Sequence, residues 1–328
     1  MNAPTFVRRN AWCHRRKPSS GNRTRLVGSA PLHPPYAPSA SIPIVPITPD
    51  VVNLWFRGSF LLRILVTNDD GIAAPGLWAL AQELKGVAEV VVVAPDREQS
   101  GVGTSVTLHQ PLRVRPFTPQ VDGIQTYVVE GTPADSVIIA LKTLLKDKPD
   151  LVISGINEGS NLGTDVLISG TVGAAFQAYF YGLPAIAISV ASFNDLHFEV
   201  GSRMGALLAR QLAGGKLPPR FLLNVNVPNL PLEQIAGIEV TELGERGYTD
   251  AVKRGSVKAG HDGKRDYYWI MHGEPESKEE KGTDVWALKH RRISITPLHN
   301  DLTSREDFAP LAGLRSALCH ELFPGRSA

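Results

Sequence analysis

The sequence predicts an α/β protein: a mostly parallel sheet covered by helices on both faces. Three observations predict it. From Leu61 onward, short Val/Ile/Leu runs alternate with segments of helical character, the pattern of strands buried on both faces and joined by crossover helices. The chain has 328 residues, 43% apolar and 20% charged, enough for one large domain or two small ones. The polar residues capable of chemistry collect in the loops after the apolar runs, where open α/β sheets bind ligands.

Each element has a local reason. Leu61–Thr67 is an apolar run of strand length. Pro75–Lys85 reads as a helix, with proline in the first turn where a missing N–H costs nothing. Glu89–Ala94 contains Val90-Val91-Val92-Val93, a buried strand. Thr132-Pro133 opens a helix to about Leu145, with the Thr132 hydroxyl as N-cap. Asp150–Ser154 is a strand followed by a Gly-rich loop. Gly170–Tyr181 and Phe198–Leu212 read as helices, and Pro184–Val190 and Phe221–Val227 as strands. After about Val240, Gly, Lys and aromatic residues intersperse, as in Tyr248, Tyr267-Tyr268-Trp269 and Trp286. There, short alternating segments such as Ile293-Ser294-Ile295 predict hairpins and an arm rather than another βα unit.

The predicted organisation is a tail (1–60), a folded domain (61–305) and a C-terminal tail (306–328). Within the domain, the core covers about 61–240 and a hairpin or arm about 241–305. The first tail is basic and Pro/Ser-rich without sustained periodicity, so disorder is the default expectation. Its Arg-rich, acid-free composition also suits an organellar transit peptide; a solvated extension or an upstream start is the favoured reading, because no amphipathic face is evident.

Net charge is +2, but residues 1–49 carry seven Lys/Arg and no acid. The remainder has 27 basic against 32 acidic residues, a balance that argues against nucleic-acid binding. Cys13 and Cys319 form neither a disulfide framework nor a Cys-based zinc site. No run reaches the ~18 apolar residues of a membrane span. The expected location is cytoplasmic, with targeting by the tail left open.

Four loops carry the polar residues. They are Asn68-Asp69-Asp70-Gly71, Pro95-Asp96-Arg97-Glu98-Gln99-Ser100-Gly101, Ser154-Gly155-Ile156-Asn157-Glu158-Gly159-Ser160-Asn161-Leu162-Gly163, and Ser169-Gly170-Thr171-Val172-Gly173. Adjacent carboxylates at the end of a buried strand are costly without a cation between them, and carboxylate oxygens suit Mg²⁺, Mn²⁺ or Ca²⁺. In a parallel sheet, loops after successive strands emerge on one edge. Carboxylates, a hydroxyl and a side-chain amide would then converge on one hard cation, beside backbone N–H groups and hydroxyls at a helix N-terminus suited to an anion. Each loop also has a plain structural reading as a turn or a cap.

Other chemistries lack their motifs. The first strand is not followed by Gly-x-Gly-x-x-Gly, and neither a P-loop nor a Gly-x-Ser-x-Gly elbow occurs. His109, His197, His261 and His272 show no metal-binding spacing.

The ordered series Val66-Thr67-Asn68-Asp69-Asp70-Gly71, Ala94-Pro95-Asp96-Arg97-Glu98-Gln99-Ser100-Gly101, Gly131-Thr132-Pro133-Ala134-Asp135, Ser154-Gly155-Ile156-Asn157 and Ser169-Gly170-Thr171-Val172 resembles the SurE family of metal-dependent 5′-nucleotidases, from about Leu62 to about Leu302. The resemblance implies a Rossmann-like core and a C-terminal extension exchanged between protomers in homodimers or homotetramers. It implies one divalent cation, Mg²⁺ or Mn²⁺, held by Asp69, Asp70, Ser100 and Asn157. The implied activity is hydrolysis of nucleoside 5′-monophosphates, with further activity on 3′-nucleotides or polyphosphate.

On that basis Asp69, Asp70 and Asn157 are the expected catalytic residues. Asn157, Ser169, Gly170 and Thr171 would bind the phosphate, and Asn68 would shape the turn. The competing functions are a non-catalytic nucleotide or sugar-phosphate binding module and a metal-dependent N-glycosidic hydrolase.

Overall fold

In the first strand, β1 (Leu62–Thr67), successive side chains serve opposite layers: Ile64 and Val66 join one apolar cluster and Leu65 the other. The alternation repeats in β2 (Ala88–Pro95), where Val90 and Val92 face one side and Val91 and Val93 the other. A continuous apolar run on a period-two backbone must be covered twice. This computed structural model describes residues 62–247, 252–259, 263–270, 276–277, 280–305 and 308–323. The tail expected over 1–60 lies outside them.

The remaining strands of the main sheet are β3 (Val114–Pro116), β4 (Gln125–Val129), β5 (Leu151–Glu158), β6 (Ala185–Val190), β7 (Leu222–Val227) and β8 (Gly237–Val240), with β13 (Arg292–Pro297) later in the chain. Between β8 and β13 lie β9 (Arg246–Gly247), β10 (Val252–Ala259), β11 (Gly263–Ile270) and β12 (Glu276–Ser277). The sheet order is β3-β4-β2-β1-β5-β6-β7-β13-β8. Strands β4, β2, β1, β5, β6 and β7 are mutually parallel, so their carboxyl ends share one edge. Only β3 against β4 and β13 against β7 pair antiparallel in this sheet.

Helices α1 (Pro75–Lys85) and α4 (Glu199–Ala213) cover one face, contributing Leu77, Leu80, Leu84, Met204 and Leu208 to its cluster. Helices α2 (Pro133–Ile139) and α3 (Gly170–Phe180) cover the other, through Val137, Val172, Ala174, Ala175 and Ala178. Each fully buried Leu, Ile or Val contributes on the order of 1.5–3 kcal/mol. The small residues of α3 allow it to lie close against the sheet, which brings its N-terminus to the β1 tip.

The structure departs from the sequence expectations in several places. Strands β3 and β4 were not predicted; β4 is short, with Gln125 exposed, and lacks the apolar contrast of its neighbours. Helix α2 ends at Ile139 and continues as a π-turn over Ala140–Leu144, closed by Leu145 N–H donating to Ala140 O at 3.0 Å. Strand β5 runs on to Glu158 through a register shift between Ser154 and Asn157 instead of ending at Ser154.

Ile293-Ser294-Ile295, expected in a hairpin or arm, instead lies in β13, inside the main sheet between β7 and the edge strand β8. Its alternation reflects one apolar and one hydroxyl-lined side: Ser294 and Thr296 bond with Thr241. Helix α5 (Asp284–Lys289) leads directly into it. The segment between is an antiparallel excursion, with β9 paired to β12 and β10 to β11. Within the expected C-terminal tail, Phe308–Leu322 forms helix α6. No helix of the described residues is long and apolar enough to cross a membrane.

Candidate active site

Asp69 and Asp70 sit just past the tip of β1, the strand between β2 and β5. Asp69 is 4% exposed, and Asp70 half-buried. The turn is held locally: Asn68 Nδ2 donates to Gly71 O at 2.9 Å. Asn68 therefore shapes the loop, as expected from sequence. The second loop is tied to the first by Gln99 N–H donating to Asp69 O at 2.7 Å and by Ile72 N–H donating to Pro95 O at 2.8 Å.

Opposite Asp69 stands the N-terminus of α3. Ser169 is the N-cap, its Oγ accepting from Val172 N–H at 3.1 Å. The buried Thr171 hydroxyl donates to Asp69 Oδ1. Gly170 is required by this approach: a Cβ there would lie 2.8 Å from Asp69 Cβ and Oδ2. Thus Gly170 and Thr171 meet Asp69 in space, although about 100 residues separate them in sequence, and Ser169 caps the same helix end.

The electrostatics are one-sided. Burial pushes Asp69 up to about 6, opposed mainly by the Thr171 hydroxyl. Burial pushes Asp70 up to about 8, reinforced by the charges of Asp69, Glu158 and Glu98. Arg97, the cation of the second loop, pairs with Asp96 at 3.6 Å. Asp70 Oδ2, Asn68 Oδ1 and Asp96 Oδ1 are buried without a hydrogen-bond partner. Unpaired buried oxygens and crowded carboxylates fit a hard, oxygen-seeking divalent cation. Among the described residues, no group of three or more His, Cys, Asp or Glu is placed to hold a metal, so any such site must recruit other oxygens.

Ser100 and Asn157 are the expected other oxygens. Ser100 lies on the exposed rim, with its hydroxyl donating to Glu98 Oε1 at 2.8 Å. Asn157 is half-buried at the end of β5. Its Nδ2 donates to Gly159 O at 2.7 Å, which leaves Oδ1 as the atom able to ligate a cation. Glu158, the next residue, acts on Asp70 through both its charge and its backbone. The structure thus gathers the first, third and fourth loops around Asp69-Asp70 and joins the second through the Gln99 backbone.

Three supporting features were not assigned from sequence. Asp135, in Gly131-Thr132-Pro133-Ala134-Asp135, completes a capping box with Thr132. It also accepts from Thr107 N–H at 3.0 Å and Thr107 Oγ1 at 2.7 Å, fastening the loop that follows Ser100.

Asn161, in the third loop, is caged by the strands beside it. Its N–H donates to Asn226 Oδ1 at 2.8 Å and its Nδ2 to Ser189 Oγ at 2.9 Å, while its carbonyl accepts from Asn224 and Asn226. Two asparagines alternating in the buried strand Leu222–Val227 were the available signal. Asp284 then fixes the end of that loop, accepting from Gly163 N–H at 2.9 Å and from Gly244 N–H at 2.8 Å.

Fold and site together define an α/β protein with an acidic, oxygen-rich centre at the carboxyl edge of its sheet, faced by a helix N-terminus. A family model described as Survival protein SurE matches residues 64–250, more than half of the chain. A relative named 5′-nucleotidase SurE from Dehalococcoides mccartyi (strain CBDB1) is 46% identical over 262 residues, covering 78% of this chain and 97% of its own. One of the same name from Vibrio parahaemolyticus is 48% identical over 246 residues, covering 75% and 91%. The crystal structure of the SurE protein from Aquifex aeolicus superposes with a TM-score of 0.65 at 39% identity, covering 77% of this chain and 99% of that one. The chain belongs to the SurE family.

Proposed function

We propose that this chain is a metal-dependent phosphomonoesterase that hydrolyses nucleoside 5′-monophosphates to nucleoside and phosphate. The observation that carries the proposal is the meeting of Asp69 with the N-terminus of α3, through Thr171 and Gly170. A carboxylate pair suited to a divalent cation beside a helix end suited to an anion is an arrangement for phosphoryl chemistry. The curated relatives named 5′-nucleotidase point the same way.

In this reading Asp69, Asp70, Ser100 and Asn157 hold one Mg²⁺ or Mn²⁺. When bound, the cation supplies Lewis-acid neutralisation of phosphate charge and lowers the pKa of a water. The chain's own groups do the rest. Ser169, Gly170 and Thr171 bind the phosphate oxygens at the helix N-terminus, with Asn157 beside them. Asp69, held by the Thr171 hydroxyl, orients the attacking water and takes its proton. Burial of Asp69 and Asp70 excludes bulk water, so these contacts act in a low dielectric.

The excursion over β9–β12 is the candidate contact between copies in a homodimer or homotetramer, and 3′-nucleotides and polyphosphate are candidate further substrates.

The test is a panel of nucleoside monophosphates given to the purified chain with Mg²⁺, Mn²⁺ or EDTA. The expected products are inorganic phosphate and nucleoside, and only with the cation. Release of free base without phosphate, or binding without turnover, would contradict the proposal.

A further inference from the structure

We infer that Phe193 is the platform on which the nucleobase of the substrate stacks, an assignment that rests on the phosphatase reading above. Single exposed apolar residues are common on protein surfaces, so exposure alone says little. Position is what distinguishes this one. Phe193 is 69% exposed and lies in the loop after β6, the strand beside β5. Its ring rests on Gly159: a Cβ there would fall 2.5 Å from Cε1 and 2.6 Å from Cζ. Gly159, at φ +105, is the residue whose carbonyl accepts from Asn157 Nδ2. The ring is thus seated on a residue whose Cα lies at most ~7 Å of extended chain from that of Asn157, which is assigned to the cation and phosphate and whose amide bonds the Gly159 carbonyl. A nucleotide whose phosphate lies at Asn157 would carry its base, across the ribose, to the Gly159 side of the site.

The ring is also presented by a braced loop. Asn229 Nδ2 donates to Asn194 O at 3.3 Å and Asp195 O at 3.0 Å, and Asn229 Oδ1 accepts from His197 N–H at 2.8 Å. Ser192 Oγ accepts from Asn194 N–H at 3.1 Å and donates to Asn194 O at 2.8 Å. Gly159 N–H donates to Val190 O at 2.9 Å, joining the two loops. A fixed, solvent-facing aromatic beside a phosphate site is what base stacking needs, and such stacking tolerates any base because every base has a π-face.

The experiment compares the full chain with Phe193→Ala and Phe193→Trp on adenosine 5′-monophosphate and ribose 5-phosphate, which lacks a base. For Phe193→Ala, the ratio of kcat/KM for the nucleotide over the sugar phosphate should fall roughly 5- to 150-fold. The loss should lie in KM, and Phe193→Trp should restore the ratio. An unchanged ratio, or a smaller molecular mass by light scattering that marks the ring as a contact between copies, would overturn the assignment. If the unsubstituted chain hydrolyses neither compound, the phosphatase reading fails instead. Calorimetric binding of adenosine 5′-monophosphate then decides the stacking: weaker binding by Phe193→Ala supports it and equal binding overturns it.

Discussion

The Thr171 hydroxyl donates a hydrogen bond to Asp69 Oδ1, joining the first residue pair of the domain's acidic centre to the start of α3. The bond crosses from the β1 tip to a helix that follows β5, so it exists only when the sheet order is correct. It also opposes the rise that burial imposes on the Asp69 pKa. Thr171→Val keeps the shape and removes the donor. It should lower kcat/KM for a nucleoside monophosphate by roughly 100-fold, the cost of letting the catalytic carboxylate shift from its position. Thr171→Ser should retain most activity. Equal activity of all three forms in steady-state assays would remove Thr171 from the site.

The acidic centre predicts a pH dependence of stability. Burial raises Asp69 from 3.8 to about 6 and Asp70 from 3.8 to about 8. The folded chain therefore holds more protons than the unfolded chain across that window. The stability contributed by the protonated forms is full below about pH 4 and is lost as pH rises through 6 and then 8. In EDTA, Tm should fall between pH 5 and 8.5, each group contributing at most about 1.4 kcal/mol per pH unit. Mg²⁺ or Mn²⁺ should flatten the fall by replacing the protons. A Tm in EDTA that is level across this range would contradict the account.

Asp135 predicts a stability effect that reaches the site. Its carboxylate accepts from Thr107 N–H, Thr107 Oγ1 and Thr132 N–H. Asp135→Ala strands two backbone donors and should cost about 2–4 kcal/mol in urea unfolding. It should also lower activity, because the released loop begins next to Ser100. A loss of under about 0.5 kcal/mol, the range of ordinary surface substitutions, would show that the loop is held by other contacts.

The excursion predicts an effect on assembly. Val252 pairs with Ile270 at the base of the β10–β11 hairpin, so 252–270 can be replaced by a short turn without cutting the main sheet. If this hairpin joins copies, the shortened chain should be smaller in light scattering while keeping its fold by circular dichroism. An unchanged molecular mass would place the contact elsewhere.

What was legible in the sequence follows from how locally each feature is encoded. Val90–Val93 and Ile186–Ile188 declare buried strands because their apolar runs are unbroken. Thr132 declares a cap because a hydroxyl before Pro133 has few other uses. Strand β4 was not legible because Gln125-Thr126-Tyr127 dilutes its apolar signal, and it is a strand through pairing with β2. Strand β13 was misplaced because Ile293-Ser294-Ile295 alternates like a hairpin strand, whereas its polar side bonds to Thr241. That the Asn68–Gly71 loop and the start of α3 share one edge follows from a parallel sheet, but the particular bond from Thr171 to Asp69 is not legible in the sequence. Nor are the Asn161 cage and the Asp284 clip, since hydrogen bonds across 28 to 121 residues leave no local pattern.

The central claim is that Asp69 serves a cation-dependent phosphate hydrolysis. The most direct measurement is phosphate release from a nucleoside 5′-monophosphate by the purified chain and by Asp69→Asn, each with Mg²⁺ or Mn²⁺ and with EDTA. Turnover should occur only in the unsubstituted chain with cation present, while circular dichroism shows the variant folded. Undiminished turnover in Asp69→Asn, or in EDTA, would contradict the account.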